Sequence, residues 1–236
     1  MTESDTAEDD DTTDESTPPT RLILVRHGES EVTVRRVLGG ERSCTGLSEL
    51  GRRQATALGE RLAAGDDPPI DVVWSSTLER AVETADIVAA HIGIDEVHRD
   101  RDLVERRPGE ADGLTFTEFR ERYGLDFLTD PYEPLSPGGE SAAEFHLRAG
   151  GAVARVASTH PGKTVLVVCH GGVIDVAFRD LLDLPRHGGF DLWTLNTSLT
   201  ELTLRSDLEA WRWRLVRYND AAHLAGLPDQ TPHAQE

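Results

Sequence analysis

Two histidines in this chain each stand at the end of an apolar run and in front of glycine. Leu22-Ile23-Leu24-Val25 leads into Arg26-His27-Gly28-Glu29-Ser30, and Val165-Leu166-Val167-Val168 leads through Cys169 into His170-Gly171-Gly172. Between them lie Ser75-Ser76 with Arg80, and then Glu105. A histidine by itself is usually structural, and Arg-His-Gly alone would recur by chance in roughly a few per cent of chains of this size. The combination says more. Glycine lets the backbone turn sharply and come close to a ligand, and the arginine fork matches phosphate oxygens. The start of a helix after Ser75-Ser76-Thr77 is itself an anion site. Two histidines and two arginines at strand ends make a pocket for a dianion, with one imidazole free to attack phosphorus.

These groups need strands and helices to hold them. Short apolar runs ended by glycine read as buried parallel strands, at 22–25, 71–74 and 164–168, with a short one near Val97. Ser48 caps a helix with Ala55, Leu58 and Leu62 on one face, stopped near Gly65. Ser76 or Thr77 opens a second, with Leu78, Val82, Ala85 and Ile92, ended at Gly93. Pro131, Pro134 and Pro137-Gly138-Gly139 mark a long surface connection. A helix over about 140–158, weakened by Gly150-Gly151, and another over 173–182 follow. Runs at 199–204 and 211–218 read as an antiparallel pair. The strand–helix alternation predicts an α/β three-layer sandwich, with a central, mostly parallel sheet and helices on both faces. Loops at the carboxyl ends of such strands are where open α/β sheets build their sites.

The 236 residues suffice for one sizeable domain. The expected organisation is a disordered acidic tail over 1–20, one domain over 21–220 and a polar tail over 221–236. The net charge is −19, and eight acids fall in the first 15 residues, leaving −11 on the remainder. That balance argues against nucleic acid and anionic membranes as partners. An anionic substrate must then be held by local cations, over the roughly 8 Å that salt leaves unscreened. No apolar stretch approaches the roughly 20 residues of a membrane span, and the acidic N-terminus does not read as a signal or transit peptide. Cys44 and Cys169 are too few for a disulfide framework, so the expected compartment is a reducing cytoplasm. Cys169 ends a buried strand and reads as small core filler rather than a reactive thiol. The nine histidines are scattered without metal-ligand spacing, so no metal and no cofactor are expected.

The motifs together resemble the histidine phosphatase superfamily, also called the phosphoglycerate mutase-like family. The family signature Arg-His-Gly-Glu-Ser is matched by residues 26–30, and Ser-x-x-x-x-Arg-Ala-x-x-Thr by Ser75 (or Ser76), Arg80, Ala81 and Thr84. Leu-x-Glu before Gly-x-x-x-Gly is matched by Leu103, Glu105, Gly109 and Gly113, and Gly-Gly-Glu-Ser by residues 138–141. His-Gly-Gly is matched by residues 170–172. The resemblance implies the phosphoglycerate mutase-like fold and a phosphomonoesterase of the histidine acid phosphatase type, acting on a small phosphorylated metabolite. His27 would attack phosphorus, and Arg26, Arg80 and His170 would hold the equatorial oxygens, with Gly171 and Thr33 also at the substrate. Glu105 would protonate the leaving oxygen, then activate water; Glu110 and Asp112 are rival acids from the same loop.

The sequence also departs from the family pattern. Val32-Thr33 stands where Trp-Asn is common, Cys44-Thr45-Gly46 replaces an aspartate before the Leu-Ser helix start, and Ala111 replaces a Trp. These changes should alter the substrate wall rather than the phosphate core. The rival enzyme is a phosphoglycerate mutase, whose longer insertion before the second histidine closes over the intermediate; here only 64 residues separate Glu105 from His170. A catalytically inactive phosphate-binding module would lack one of the four core groups, and all four are present. The leaving group and the oligomeric state, homodimer or otherwise, stay open.

Overall fold

The computed structural model describes residues 18–124, 130–188, 190–205 and 212–228. The acidic stretch up to residue 17 and residues 229–236, both expected to be tails, lie outside these. Six strands form one sheet: β1 (Arg21–Arg26), β2 (Val72–Ser76), β3 (Val97–Asp100), β4 (Thr164–Cys169), β5 (Leu199–Arg205) and β6 (Arg212–Asp220), in the order β3-β2-β4-β1-β5-β6. The first four strands pair in parallel, and β5 runs antiparallel to both β1 and β6. The helices are α1 (Glu31–Val34), α2 (Glu49–Ala63), α3 (Glu79–Ile92), α4 (Phe116–Tyr123), α5 (Ala142–Thr159) and α6 (Gly171–Leu181).

Side chains alternate between the two faces of a strand, and both faces of this sheet are covered. Leu22, Leu24, Val165 and Val167 pack with Val153, Val156, Ile174 and Ala177 of α5 and α6. Ile23, Val25, Leu166 and Val168 pack with Leu58 and Leu62 of α2 and with Ala81, Ala85 and Val88 of α3. That is the expected sandwich, and it sets β1, β2 and β4 side by side with their carboxyl ends at one edge. The amide of His27 bonds to the carbonyl of Cys169 at 3.0 Å, so the two histidine-bearing exits are tied together.

Several boundaries differ from the sequence expectation. β2 continues through Ser76, which pairs with Asp100, so α3 begins at Glu79 and not at Ser76 or Thr77. Helix α5 begins after Ser141 with a reciprocal capping box to Glu144, and α6 begins two residues early, at Gly171. The stretch before Pro131 contains the unexpected α4, opened by a Thr115–Glu118 capping box and anchored by buried Phe119. Gly150 does not break α5; a Cβ there would lie 2.2 Å from Asp180 Oδ2, so it permits close approach of α6. Thr20 belongs to the domain rather than to a tail. It is buried, its carbonyl accepts from Leu204 and its hydroxyl from Gly162. The turn Ala222–Leu224 likewise folds back, with His223 against Thr197 and Arg61.

Candidate active site

His27 follows β1 directly and is buried. Its Nδ1 lies 2.7 Å from the carbonyl oxygen of Gly28. A carbonyl only accepts, so Nδ1 carries the proton and Nε2 keeps its lone pair. Arg80 donates through Nε to that Nε2 at 3.0 Å. Burial first, then the Arg80 and Arg26 charges, hold the His27 pKa well below the ordinary histidine value, outweighing the Gly28 carbonyl. The ring is therefore a neutral imidazole with its unprotonated nitrogen facing a guanidinium.

Local packing explains this geometry. A Cβ on Gly28 would lie 2.6 Å from the Gly51 carbonyl oxygen, and one on Gly51 would overlap the Glu29 carbonyl. The two glycines let the first turn of α2 press against the loop after β1. Thr84 joins the loop to α3: its hydroxyl accepts from the Gly28 amide at 3.0 Å and donates to the Arg80 carbonyl at 2.6 Å. Asn196 donates to the His27 carbonyl at 2.7 Å, and the Thr197 amide to the Arg26 carbonyl at 2.7 Å. Arg26 Nη1 bonds to the Thr194 carbonyl.

Arg26, His27, Thr33, Arg80, Glu105 and Gly171 all line one cleft of about 330 Å³. Arg80 is buried; its Nη2 reaches the Gly39 carbonyl at 3.2 Å, while Nη1 has no partner among the described residues. His170 is fully buried and lies behind this surface, its ring centroid 5.1 Å from that of His27 in an edge-on arrangement. Its Nε2 is 2.8 Å from Ser76 Oγ, which already accepts from the Leu78 amide. Ser76 Oγ can donate to this nitrogen or accept from it, according to the His170 tautomer. The His170 Nδ1 is buried without a partner among the described residues. Burial first, then Arg80, holds the His170 pKa well below normal as well. Burial also lowers the Arg26 value, but a guanidinium stays charged.

Glu105 faces the same cleft from the loop after β3. Its Oε2 accepts from the Gly172 amide at 3.0 Å and its Oε1 from the Arg106 amide at 2.9 Å. The second glycine of His-Gly-Gly is needed here, since a Cβ on Gly172 would lie 2.2 Å from Glu105 Oε1. Arg148 fixes the loop: it donates to the carbonyls of Asp102 and Val104 and pairs with Glu140, which also receives the Arg107 amide. Thus Glu140 of the Gly-Gly-Glu-Ser motif is an anchor for the Glu105 loop. Of the rival acids, Asp112 accepts from Ser43 and from the amides of Gly40 and Arg42, and Glu110 is exposed beside Tyr123. Neither lines the cleft. Thr33 does, with its hydroxyl 2.9 Å from Ser30 Oγ.

The sequence reading missed Thr194, Asn196, Thr197 and the wall formed by Asp191, Leu192 and Trp193. The one available signal is the cluster Thr194, Asn196, Thr197 and Ser198 before β5, and the structure buries all four. Cys169 is fully buried within a core cluster and burial pushes its thiol pKa up. Among the described residues, no three His, Cys, Asp or Glu side chains gather as a group able to hold a metal.

Residues 22–221 match the family model of the histidine phosphatase superfamily, branch 1. Phosphoglycerate mutase-like protein 4 of Arabidopsis thaliana is 34% identical over 208 residues, which is 86% of this chain and 86% of that protein. Metal-independent phosphoserine phosphatase of the same plant is 31% identical over 212 residues, covering 88% of this chain and 84% of the relative. Among solved structures, mycobacterial glucosyl-3-phosphoglycerate phosphatase in complex with VO3 matches with a TM-score of 0.70 at 31% identity, over 85% of this chain and 99% of that one.

Proposed function

The chain belongs to the histidine phosphatase superfamily, branch 1, and from that premise we propose that it hydrolyses a small phosphomonoester through a phosphohistidine at His27. The observation that carries this reading is the His27 tautomer, with Nδ1–H on the Gly28 carbonyl and Nε2 aimed at Arg80. Arg26 and Arg80 draw the phosphoryl dianion into the cleft, and its oxygens take up the unpartnered Arg80 Nη1. His170, with its proton on Nδ1, adds a donor from behind. Nε2 attacks phosphorus as the ester P–O bond breaks, and the leaving oxygen takes the proton of the Glu105 carboxyl. The Gly28 carbonyl steadies the positive charge that grows on the ring, and the arginines hold the equatorial oxygens. Glu105, now a carboxylate, takes a proton from water, the water attacks phosphorus, the P–N bond breaks and phosphate leaves.

The phosphatase names among the relatives support hydrolysis. The mutase alternative is not better supported: one relative carries a mutase-like name, but the loop with Glu105 is pinned by Arg148 and Glu140. A His27 that stays neutral well below its ordinary pKa supports an acid-phosphatase working range. Both cysteines are free, which supports a reducing compartment. No helix among the described residues is long and apolar enough to cross a membrane.

The test is an acid-quench experiment with p-nitrophenyl phosphate. Wild-type protein should show base-stable, acid-labile phosphate on His27 and release phosphate. His27→Ala should lose turnover while keeping its circular dichroism spectrum. Normal turnover by His27→Ala would overturn the proposal.

A further inference from the structure

The cleft has few cations: Arg26 and Arg80 are the only arginines or lysines among its lining residues. Val32, Val37, Leu38, Leu192 and Trp193 give it an apolar lining. Apart from Glu105, the one acidic group in that lining is the exposed Asp191, a second carboxylate. Arg42 and Arg107 line an adjoining cleft of about 160 Å³ that shares Glu105 with this one. Arg107 is paired with Glu140, and Arg42 donates to the Gly109 carbonyl beside Asp112.

The Asp191–Trp193 wall is fixed at both ends. The Arg179 guanidinium sits 4.1 Å over the Phe190 ring and donates to the Phe190 carbonyl at 2.8 Å. The Trp193 carbonyl accepts from Tyr218 at 2.7 Å and from Asn219 at 3.1 Å. A segment held in this way presents its side chains in a set arrangement, as a specificity surface requires. Trp193 is 43% exposed and lines the cleft.

We infer that the leaving group is a neutral, hydroxyl-bearing ring or polyol of sugar size, and that one carrying its own carboxylate is selected against. This rests on the phosphatase reading above. A carboxylate bound beyond the phosphoryl group would meet Asp191 and apolar side chains, with no arginine or lysine besides Arg26 and Arg80 in the lining of this cleft, and unpaired like charges are how sites reject a competitor. A hydroxyl can instead donate to Asp191 while the apolar face of its ring lies on Trp193. The cleft volume is at the small end for ligand sites, which suits a monosaccharide-sized group. Esters such as phosphoserine and 3-phosphoglycerate are thereby disfavoured.

Glycerol 3-phosphate and 3-phosphoglycerate are near-isosteric and differ by a neutral CH2OH against a carboxylate. Each is assayed for kcat/KM and, if turnover is slow, for Ki as a competitor of p-nitrophenyl phosphate. Wild-type protein should favour glycerol 3-phosphate by about tenfold or more. Asp191→Asn should shrink that ratio by roughly threefold, chiefly by improving 3-phosphoglycerate. Trp193→Ala should raise KM for glucose 6-phosphate more than it lowers kcat. A preference for 3-phosphoglycerate, equal constants for the pair, or a ratio unmoved by Asp191→Asn would overturn the inference. If p-nitrophenyl phosphate itself is not hydrolysed, the phosphatase reading fails, and this one with it.

Discussion

At the scale of single residues, the proposed chemistry turns on where protons sit. His27 is neutral because burial first, and then the Arg80 and Arg26 charges, disfavour its protonated form, while the Gly28 carbonyl fixes the remaining proton on Nδ1. In the proposed mechanism the leaving oxygen's proton comes from Glu105, which lines the cleft together with Arg26, His27 and Arg80 and is held there by the Gly172 amide, whereas the cleft's other carboxyl group, Asp191, is exposed. Glu105→Gln should therefore cost roughly 10²–10⁴ in rate for an alkyl phosphate, whose leaving oxygen needs a proton. For p-nitrophenyl phosphate, with a good leaving group, the loss should be much smaller. Steady-state rates on the two esters check this, and equal losses would make Glu105 structural. Arg26, His27 and Arg80 were legible in the sequence because they stand at the end of a strand or the start of a helix, and Glu105 through the Leu-x-Glu motif. Asn196 and Thr197 were not. They act through a side-chain amide and a main-chain N–H on the Arg26-His27 backbone, from a segment about 170 positions away that carries no spacing signal.

At the scale of elements, the glycines decide how closely the parts of the site approach. Gly172→Ala puts a Cβ 2.2 Å from Glu105 Oε1 and 3.0 Å from Phe145, so the carboxylate must move out of its bond to the amide of residue 172. The expected signature is that of Glu105→Gln: a large loss on an alkyl phosphate and a small one on p-nitrophenyl phosphate, with the melting curve kept cooperative. Gly151→Ala is the matched control. It lies exposed in α5 with nothing within 4 Å of the new methyl. It should leave both rates alone and stabilise the fold by about 0.5–1 kcal/mol in denaturant titrations. The sequence could show that these glycines exist but not which is a weakness and which a packing contact. Gly150 and Gly151 read alike in the chain, yet only the former faces Asp180. Helix α4 went unread for a related reason: with Phe119 as its one buried residue, it has too little apolar periodicity to stand out.

At the scale of the whole molecule, the parallel sheet was readable because β1, β2 and β4 are unbroken apolar runs, whereas the domain edges were not. Residues 221–228 read in the sequence as part of a tail but fold back beside an ion cluster, the Ala222 amide donating to Asp220. Asp220 pairs with Arg61 and Arg217, Asp67 with both arginines, and His223 sits against Thr197 and Arg61. This arrangement gives stability a two-stage dependence on pH. Burial, then Arg61, lowers the His223 pKa to about 4, and burial lowers those of His27, His170 and His160. A folded-state pKa below the unfolded value of about 6.5 means that the unfolded chain takes up protons the folded chain refuses. The histidine contribution is therefore intact above pH 6.5 and is lost as pH falls below it, for His223 down to about 4. Asp67, Asp112, Glu140 and Asp220 also have lowered values, so their contribution is lost in a separate window, below about pH 4 where free carboxyl groups protonate. Urea titrations at closely spaced pH should show both stages. His223→Gln should reduce the slope between pH 6.5 and 4 by as much as about one bound proton and leave the lower stage in place. The same slope in wild type and variant would show that His223 is free to protonate in the folded protein, and that the C-terminal turn opens before the domain does.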